Sequence, residues 1–429
     1  MSKSSFLNNK KLTKSDIAVI SILIMVGGLL ISRLFLSVGM LIFGVNALWG
    51  VHPRTWLRDK WWLTGLAWVG MYALSGLWST DKETWGVLLQ VKLPVLLLPV
   101  SFYCLPAFSR RQLELLTLGI GLMLLAGACY SVSFLILHYQ HYIQEYNVSH
   151  MIPTPVYGEY ICFSMTIALY ICWCVYMWPS LNTRPVKWFT GFVMALLAVY
   201  LHVLASKSGL LALYIFIIGW GLYLTIARRS VAGLVVVLSL PVVLTLAVTY
   251  IPTLHERKEH IIYTWYRYMD NDKSGRLGDL SRIASYDIAL KLIKEHPIAG
   301  VGAGDMMPEM IKGYEKWYPS ITEQRNRLIP HNQFMTVGFA CGLPAMALFI
   351  IWVFMPLRRM GRNRESFFFF IIWLSLLMQL MVEPFLEGQF GVFVYLFFIL
   401  FFRNVLPGRL TAYSGGGENL NPTPIIPAT

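Results

Sequence analysis

Pro330-His331-Asn332-Gln333-Phe334-Met335-Thr336-Val337-Gly338 marks the point where a long polar stretch turns apolar again. Upstream of it, from Ile251 to His331, runs the one long polar segment in a chain that is otherwise a succession of apolar runs. That segment carries Arg276, Arg282 and the glycine turn Gly300-Val301-Gly302-Ala303-Gly304. The apolar runs on either side recur at lengths of about 18 residues or more, enough to cross a hydrocarbon core as helix. The polar segment therefore reads as a roof on one face of a membrane, with the helices before and after it as floor and walls.

Composition agrees. The chain has 429 residues, 56% of them hydrophobic and 13% charged, where a soluble domain carries about 25% charged residues. An all-α polytopic membrane protein is expected. A barrel would need alternating strands of about ten residues, and none is visible. The net charge of +13 points to nucleic acid only when the charges form a patch; here most sit at helix ends. No cleavable signal pattern is seen, and the first apolar run reads as a retained helix. All six cysteines lie in apolar runs and read as small packing residues.

Twelve spans are expected, roughly 16–32, 34–50, 62–79, 86–104, 113–137, 157–178, 187–205, 208–227, 231–250, 333–357, 366–383 and 388–403. Alternate gaps hold the cations, among them Lys14, Arg58, Arg110, Arg184, Arg228, Arg358 and Arg403, while the opposite short gaps hold only Arg33, Lys82 and Lys207. By the positive-inside rule both termini are cytoplasmic and the long polar segment is outside. The chain divides into helices one to nine (1–250), an outer segment (251–332), helices ten to twelve (333–405) and a tail (406–429) whose Gly, Asn and Pro content reads as disordered. Nucleotide sugars and ATP are absent from the outer face. Group transfer there needs a donor activated inside and carried across, such as a lipid pyrophosphate.

Within the outer segment three helices are expected. Thr253 and Glu256 match a capping box, followed by Ile261, Ile262, Trp265 and Met269 at helical spacing. A second helix runs from about Ser281 to Glu295 with Ile283, Tyr286, Leu290 and Ile293 as its apolar stripe. A third runs from Met306 to Tyr318, capped by Asp305, with Met310, Tyr314 and Trp317 on one face. The glycine turn lets the chain reverse sharply after the second helix. It is no dinucleotide fingerprint, because no strand precedes it.

Five residues stand out chemically. His331 opens the tenth span at the water boundary, where a neutral imidazole can take a proton from a hydroxyl. Arg282 begins the second outer helix, and a fixed guanidinium there can grip phosphate through two parallel bonds. Arg276 lies six residues earlier. Lys207 is a lone cation in the outer turn Ala205-Ser206-Lys207-Ser208-Gly209. Lys92 lies inside the fourth span, where a charge is costly and normally lines a cavity. Each also has a plainer reading: interfacial or capping histidine, solvated arginine, snorkelling lysine. Glu159, Glu383 and Glu387, near outer span ends, are available to pair with these cations. Asp270-Asn271-Asp272 resembles a metal-holding DxD and the start of a calcium loop, but the twelfth position is Ser281 where a bidentate glutamate belongs.

Ser274-Gly275-Arg276, Arg282-Ile283-Ala284-Ser285-Tyr286, His296-Pro297-Ile298-Ala299-Gly300-Val301-Gly302 and His331-Asn332-Gln333 before Gly342-Leu343 resemble the O-antigen ligase family. That superfamily includes WaaL-type ligases, Wzy-type polymerases and protein O-oligosaccharyltransferases. The resemblance implies a GT-C-like membrane glycosyltransferase of the bacterial inner membrane. It implies inverting transfer on the periplasmic face, without metal or cofactor, from undecaprenyl-pyrophosphate-linked glycan to a sugar hydroxyl of the lipid A core. It further implies His331 as the base and Arg282 on the donor pyrophosphate, assisted by Arg276, Lys207 and Lys92. The family often has Ser-Arg where this chain has Ser206-Lys207, and lysine lacks the bidentate fork. Membrane lipid is an expected partner and nucleic acid is not. The rivals are a polymerase, a protein-directed transferase and a transporter of lipid-linked glycan. A transporter would spread polar residues along its central spans, whereas here they collect at the outer edge.

Overall fold

The structure is a computed structural model describing residues 12–49, 57, 59–147, 150–156, 158–269, 278–361 and 363–405. Among these the chain is helical throughout, with no strand. Nine helices among the described residues are long and apolar enough to cross a membrane, and Arg33–Leu48 and Gln389–Val405 are shorter apolar ones. Lys60–Ser75 takes the place of the third expected span. Each of the expected spans coincides with a helix, except that the fourth is a pair, Lys82–Lys92 and Pro94–Cys104. The break falls at Pro94, whose ring removes a backbone donor and crowds the carbonyl four residues back. The polypeptide is thus a polytopic helical membrane protein.

Caps fix where many of the helices begin. Thr13 and Ser109 form capping boxes with Asp16 and Gln112, and Asn332 accepts from the Met335 amide to open Gln333–Phe354. Each cap satisfies an amide that would otherwise go unpaired. Packing then sorts the helices. In the hydrophobic window of Tyr160–Ser180, 83% of residues are buried, against 11% for Val231–Tyr250, so the former is the axis of the bundle and the latter its rim. Trp173 on the axis lies 4.1 Å from the Phe401 ring, centroid to centroid. A second aromatic cluster joins Trp68, Phe349 and Trp352.

The alternation of cation-rich and cation-poor gaps reappears as two ends of the bundle. At the cation-rich end, Gln112 donates to Asp16 at 2.7 Å and Arg403 pairs with Asp59 at 3.1 Å. At the opposite end, Arg33 pairs with Glu159 at 2.9 Å, Gln389 donates to Ser37 at 2.7 Å and Thr253 donates to the Val203 carbonyl at 2.6 Å. Pairings of this kind follow from an even number of crossings between gaps of like sign.

The polar segment forms three helices, Pro252–Met269, Gly278–Glu295 and Met306–Trp317; the third buries Met310 and Tyr314 with Trp317 packed beside them, as expected, but the faces of the first two differ from expectation. Thr253 lies inside the first helix rather than capping it, and its hydroxyl bonds Val203. That helix buries Thr253, Leu254, Arg257 and Thr264 while Ile261, Ile262 and Trp265 are exposed. Polar groups find partners inward, and the apolar face points out, as in a helix lying on lipid. In the second helix the buried side is Ser281, Ala284, Ser285, Ile288, Ala289, Leu292 and Ile293; of the expected stripe Ile293 is buried and Tyr286 half-buried, while Ile283 and Leu290 are exposed. Small residues make up more than half of this face, and small residues let helices approach closely. Asp305 makes no cap bond to its own helix. It accepts instead from the Thr80 amide at 2.7 Å, the Thr80 hydroxyl at 2.7 Å and the Asp81 amide at 2.9 Å, fastening the segment to the outer turn after Lys60–Ser75.

The glycine turn does more than reverse the chain. Gln333–Phe354 is broken at Gly342, which has φ +85°. Pro297–Gly302 packs into this break. Val301 and Gly302 donate to the Phe339 and Ala340 carbonyls at 3.0 Å each, and Leu343 donates to Pro297 at 2.8 Å. A Cβ on Gly342 would come within 2.0 Å of the Ile298 carbonyl oxygen. The left-handed φ and the close approach both demand glycine.

Candidate active site

His331 and Arg282 lie 49 positions apart in sequence and meet on one carboxylate. Arg282 Nη2 lies 2.9 Å from Glu383 Oε1, and His331 Nδ1 lies 2.8 Å from Glu383 Oε2. The second contact is poorly aligned for a hydrogen bond and is chiefly electrostatic. Three elements supply the group. Arg282 sits in the first turns of Gly278–Glu295. His331 directly precedes the Asn332 cap of Gln333–Phe354. Glu383 is the C-cap of Arg364–Val382, where Pro384 stops the helix. The backbone of His331 is held from the Arg282 helix as well, for Tyr286 donates its hydroxyl to the His331 carbonyl at 2.8 Å. Burial pushes the Tyr286 phenol above its ordinary value, Arg282 pulls it down and Glu383 adds to the rise. It therefore stays a donor at neutral pH.

The triad is sheltered but open. Side-chain exposure is 33% for Arg282, 17% for His331 and 13% for Glu383. A small rotation of the ring would align Nδ1–H with the carboxylate, and in that tautomer Nε2 is the basic nitrogen. A base oriented by a carboxylate, beside a partly exposed guanidinium, suits activation of a hydroxyl next to an anionic leaving group.

Lys92 belongs to a neighbouring cluster. It has no exposed surface, and its ammonium lies 2.7 Å from Glu387 Oε2 and 4.3 Å from the centre of the Tyr72 ring. Glu387 Oε1 accepts from Tyr72 at 3.0 Å and from Gln333 at 2.7 Å, while Gln333 Oε1 accepts from the Leu386 amide at 2.6 Å. Two of the three carboxylates pair with the cations singled out from the sequence, Glu383 with Arg282 and Glu387 with Lys92, whereas Glu159 pairs with Arg33 instead.

Lys207 is exposed, the first residue of Lys207–Ile226, in a turn whose Ser206 hydroxyl lies 2.9 Å from that of Ser164. It stands on a different element from the triad. Arg276 and the Asp270-Asn271-Asp272 stretch fall outside the described residues. Among the described residues, no three His, Cys, Asp or Glu side chains gather as a metal-holding group.

Sequence reasoning gave Glu383 only as a candidate partner and passed over Arg257 and Tyr160. Arg257 lies in His255-Glu256-Arg257-Lys258-Glu259-His260, which reads as a solvated charged face, yet it is buried. Its place one turn after Thr253, which bonds the bundle, was the missing signal.

A family model described as O-antigen ligase matches residues 192–350. The match includes Lys207, Arg257, Arg282 and His331, and ends before Glu383. No curated protein gives a match.

Proposed function

From the match of residues 192–350 to a family model described as O-antigen ligase, we propose that this chain belongs to that family and transfers a glycan from undecaprenyl pyrophosphate to a sugar hydroxyl of the lipid A core. The cation-rich end lies in the cytoplasm and the His331 chamber on the periplasmic side of the bacterial inner membrane. The observation that carries the reading is Glu383 bridging Arg282 and His331.

The acceptor oxygen attacks the anomeric carbon from the face opposite the diphosphate. Its proton passes to His331 Nε2, the new carbon–oxygen bond forms, and the bond to phosphate oxygen breaks with inversion. The electron pair leaves with the polyprenyl diphosphate. Glu383 stabilises the imidazolium that results, as a carboxylate does behind any histidine base. Arg282 neutralises charge growing on the departing phosphate, and a fixed donor in a water-poor chamber does so with little reorganisation. Arg276 and Lys207 add charge around the diphosphate. Lys92, committed to Glu387, acts from below through its field and by holding the Gln333 end of the His331 helix.

The test is transfer by the purified protein offered lipid-linked glycan with one of three acceptors: lipid A core, a second lipid-linked glycan, or a peptide. Product on lipid A core is expected. Product only on lipid-linked glycan makes it a polymerase, and only on peptide a protein-directed enzyme. No product with any acceptor overturns the transferase reading.

A further inference from the structure

Asp287 and Lys291 pair at 2.5 Å on the exposed side of Gly278–Glu295, and residues at the end of the next helix fix them there. The Tyr318 hydroxyl, just past Met306–Trp317, donates to the same carboxylate at 2.9 Å. The Lys291 ammonium lies 5.0 Å from the centre of the Trp317 ring and 5.8 Å from that of Tyr318. A pair of this spacing on a bare helix is loose and worth little; this one is steadied by a phenol and two rings. The bond from Lys291 holds the Asp287 carboxyl below its ordinary value against burial, with help from Tyr318, so the carboxyl is ionised at neutral pH. Burial, then Asp287, push the Tyr318 phenol up to about 12, so it stays a donor.

Both of these bonds end on Asp287 Oδ2. Among the described residues no bond reaches Oδ1, and 38% of the Asp287 side chain and 40% of the Lys291 side chain are exposed. The pair therefore presents one oriented acceptor and one oriented donor beside aromatic rings. An open carboxylate oxygen repels phosphate, and the ammonium repels cations. An uncharged ligand that donates and accepts at neighbouring positions satisfies both, and that is the chemistry of vicinal hydroxyls on a sugar. The patch shares its helix with the triad. Asp287 follows Tyr286, which bonds the His331 carbonyl. At about 1.5 Å per residue, Asp287 and Lys291 lie roughly 7 and 13 Å beyond Arg282 along the axis. Around the helix, at about 100° per residue, the exposed Ile283 falls between Arg282 and Asp287, so the way from one to the other runs over open surface.

We infer that Asp287 and Lys291, backed by Trp317 and Tyr318, form a saccharide subsite that holds sugars of the donor glycan beyond the one being transferred. This rests on the glycan transfer proposed above. Asp287 Oδ1 accepts from one hydroxyl while Lys291 donates to the oxygen of its neighbour, so the patch favours donors that carry a chain over donors that carry a single sugar.

The experiment measures transfer to lipid A core by the full-length protein in lipid nanodiscs. One donor is polyprenyl diphosphate bearing a single sugar, the other the same lipid bearing a chain of several sugars. Wild type is expected to show the lower KM for the chain. Asp287→Leu with Lys291→Met removes both charges together. It is expected to raise KM for the chain by roughly 10- to 100-fold, the range for hydrogen bonds to charged groups, with kcat and the single-sugar KM near wild type. Asp287→Asn, which keeps an acceptor oxygen, should fall between. A merely structural pair would change both donors alike, and that result overturns the inference; so does a rise confined to the KM of the acceptor. Should the double variant fail to fold, chain released from its lipid is tested on wild type, where it is expected to compete with the chain donor; no competition overturns the inference. Transfer by wild type without preference for the chain removes this subsite alone. No transfer from either donor removes the transferase reading and the subsite with it.

Discussion

Glu383 and Glu387 are four positions apart at the outer end of the bundle, each beside a buried or half-buried cation, yet they are built differently. Glu387 is saturated. Lys92, Tyr72 and Gln333 all reach it, and the lysine has no exposed surface. Glu383 faces two groups, one guanidinium and one imidazole, and both keep part of their surface open. A carboxylate whose partners are sealed cannot offer them to a ligand by contact, whereas one whose partners still face a chamber can hold them in readiness for it. The difference separates a buttress from a working site within one turn of chain.

Substitutions pull the two apart. The largest effect is expected from His331→Ala, which should lower the rate of glycan transfer by about 10²- to 10⁴-fold, the usual worth of a general base, with unchanged membrane insertion; transfer within a few-fold of wild type would take the base away from His331. Glu383→Gln should cost about 10²-fold in kcat with little change in melting temperature, since it leaves an imidazolium unsupported. Glu387→Gln should reverse that pattern. It strands the Lys92 charge, a loss of about 3–5 kcal/mol when a buried pair is broken, while folded molecules keep most of their activity; adding Lys92→Met should restore much of the melting temperature. Equal behaviour of the two glutamine variants would dissolve the contrast. Arg282→Lys keeps charge but not geometry and should raise KM for the donor about tenfold.

The smallest effect concerns pH at the fastening point. Burial raises the Asp305 carboxyl, but bonds from Asp81 and Thr80 outweigh it, and the net value lies below the ordinary one. A depressed folded value gives stability that is present above the ordinary aspartate range and lost as pH falls through the lowered one. Amide exchange in Met306–Trp317 should therefore quicken only on acidification below about pH 4, and Asp305→Asn should abolish that dependence.

Much of this was written in the sequence, for uneven reasons. Spans and the two-ended sorting of charge are properties of composition, so they were legible. His331 and Arg282 were legible because a polar residue at an apolar border has few plain explanations. The bridge through Glu383 was not, since no local pattern ties a residue to one 101 positions away. Helix faces misled where Ala284, Ser285 and Ala289 did the packing and larger side chains pointed outward. Arg257 was hidden by the charged residues beside it. In each failure the deciding partner lay on another helix.

The splice of Pro297–Gly302 into the break at Gly342 has a mechanical meaning. At its heart Gly302 donates to Ala340, both buried, and leaving such a buried peptide group unpaired is costly. The helix bearing Arg282 and the one bearing His331 are thus welded at their shared end and travel as a single piece. Substrates cannot be admitted by raising that side like a hinged cover. If the donor is the lipid diphosphate proposed above, its route is then edgewise, along the plane in which its tail diffuses.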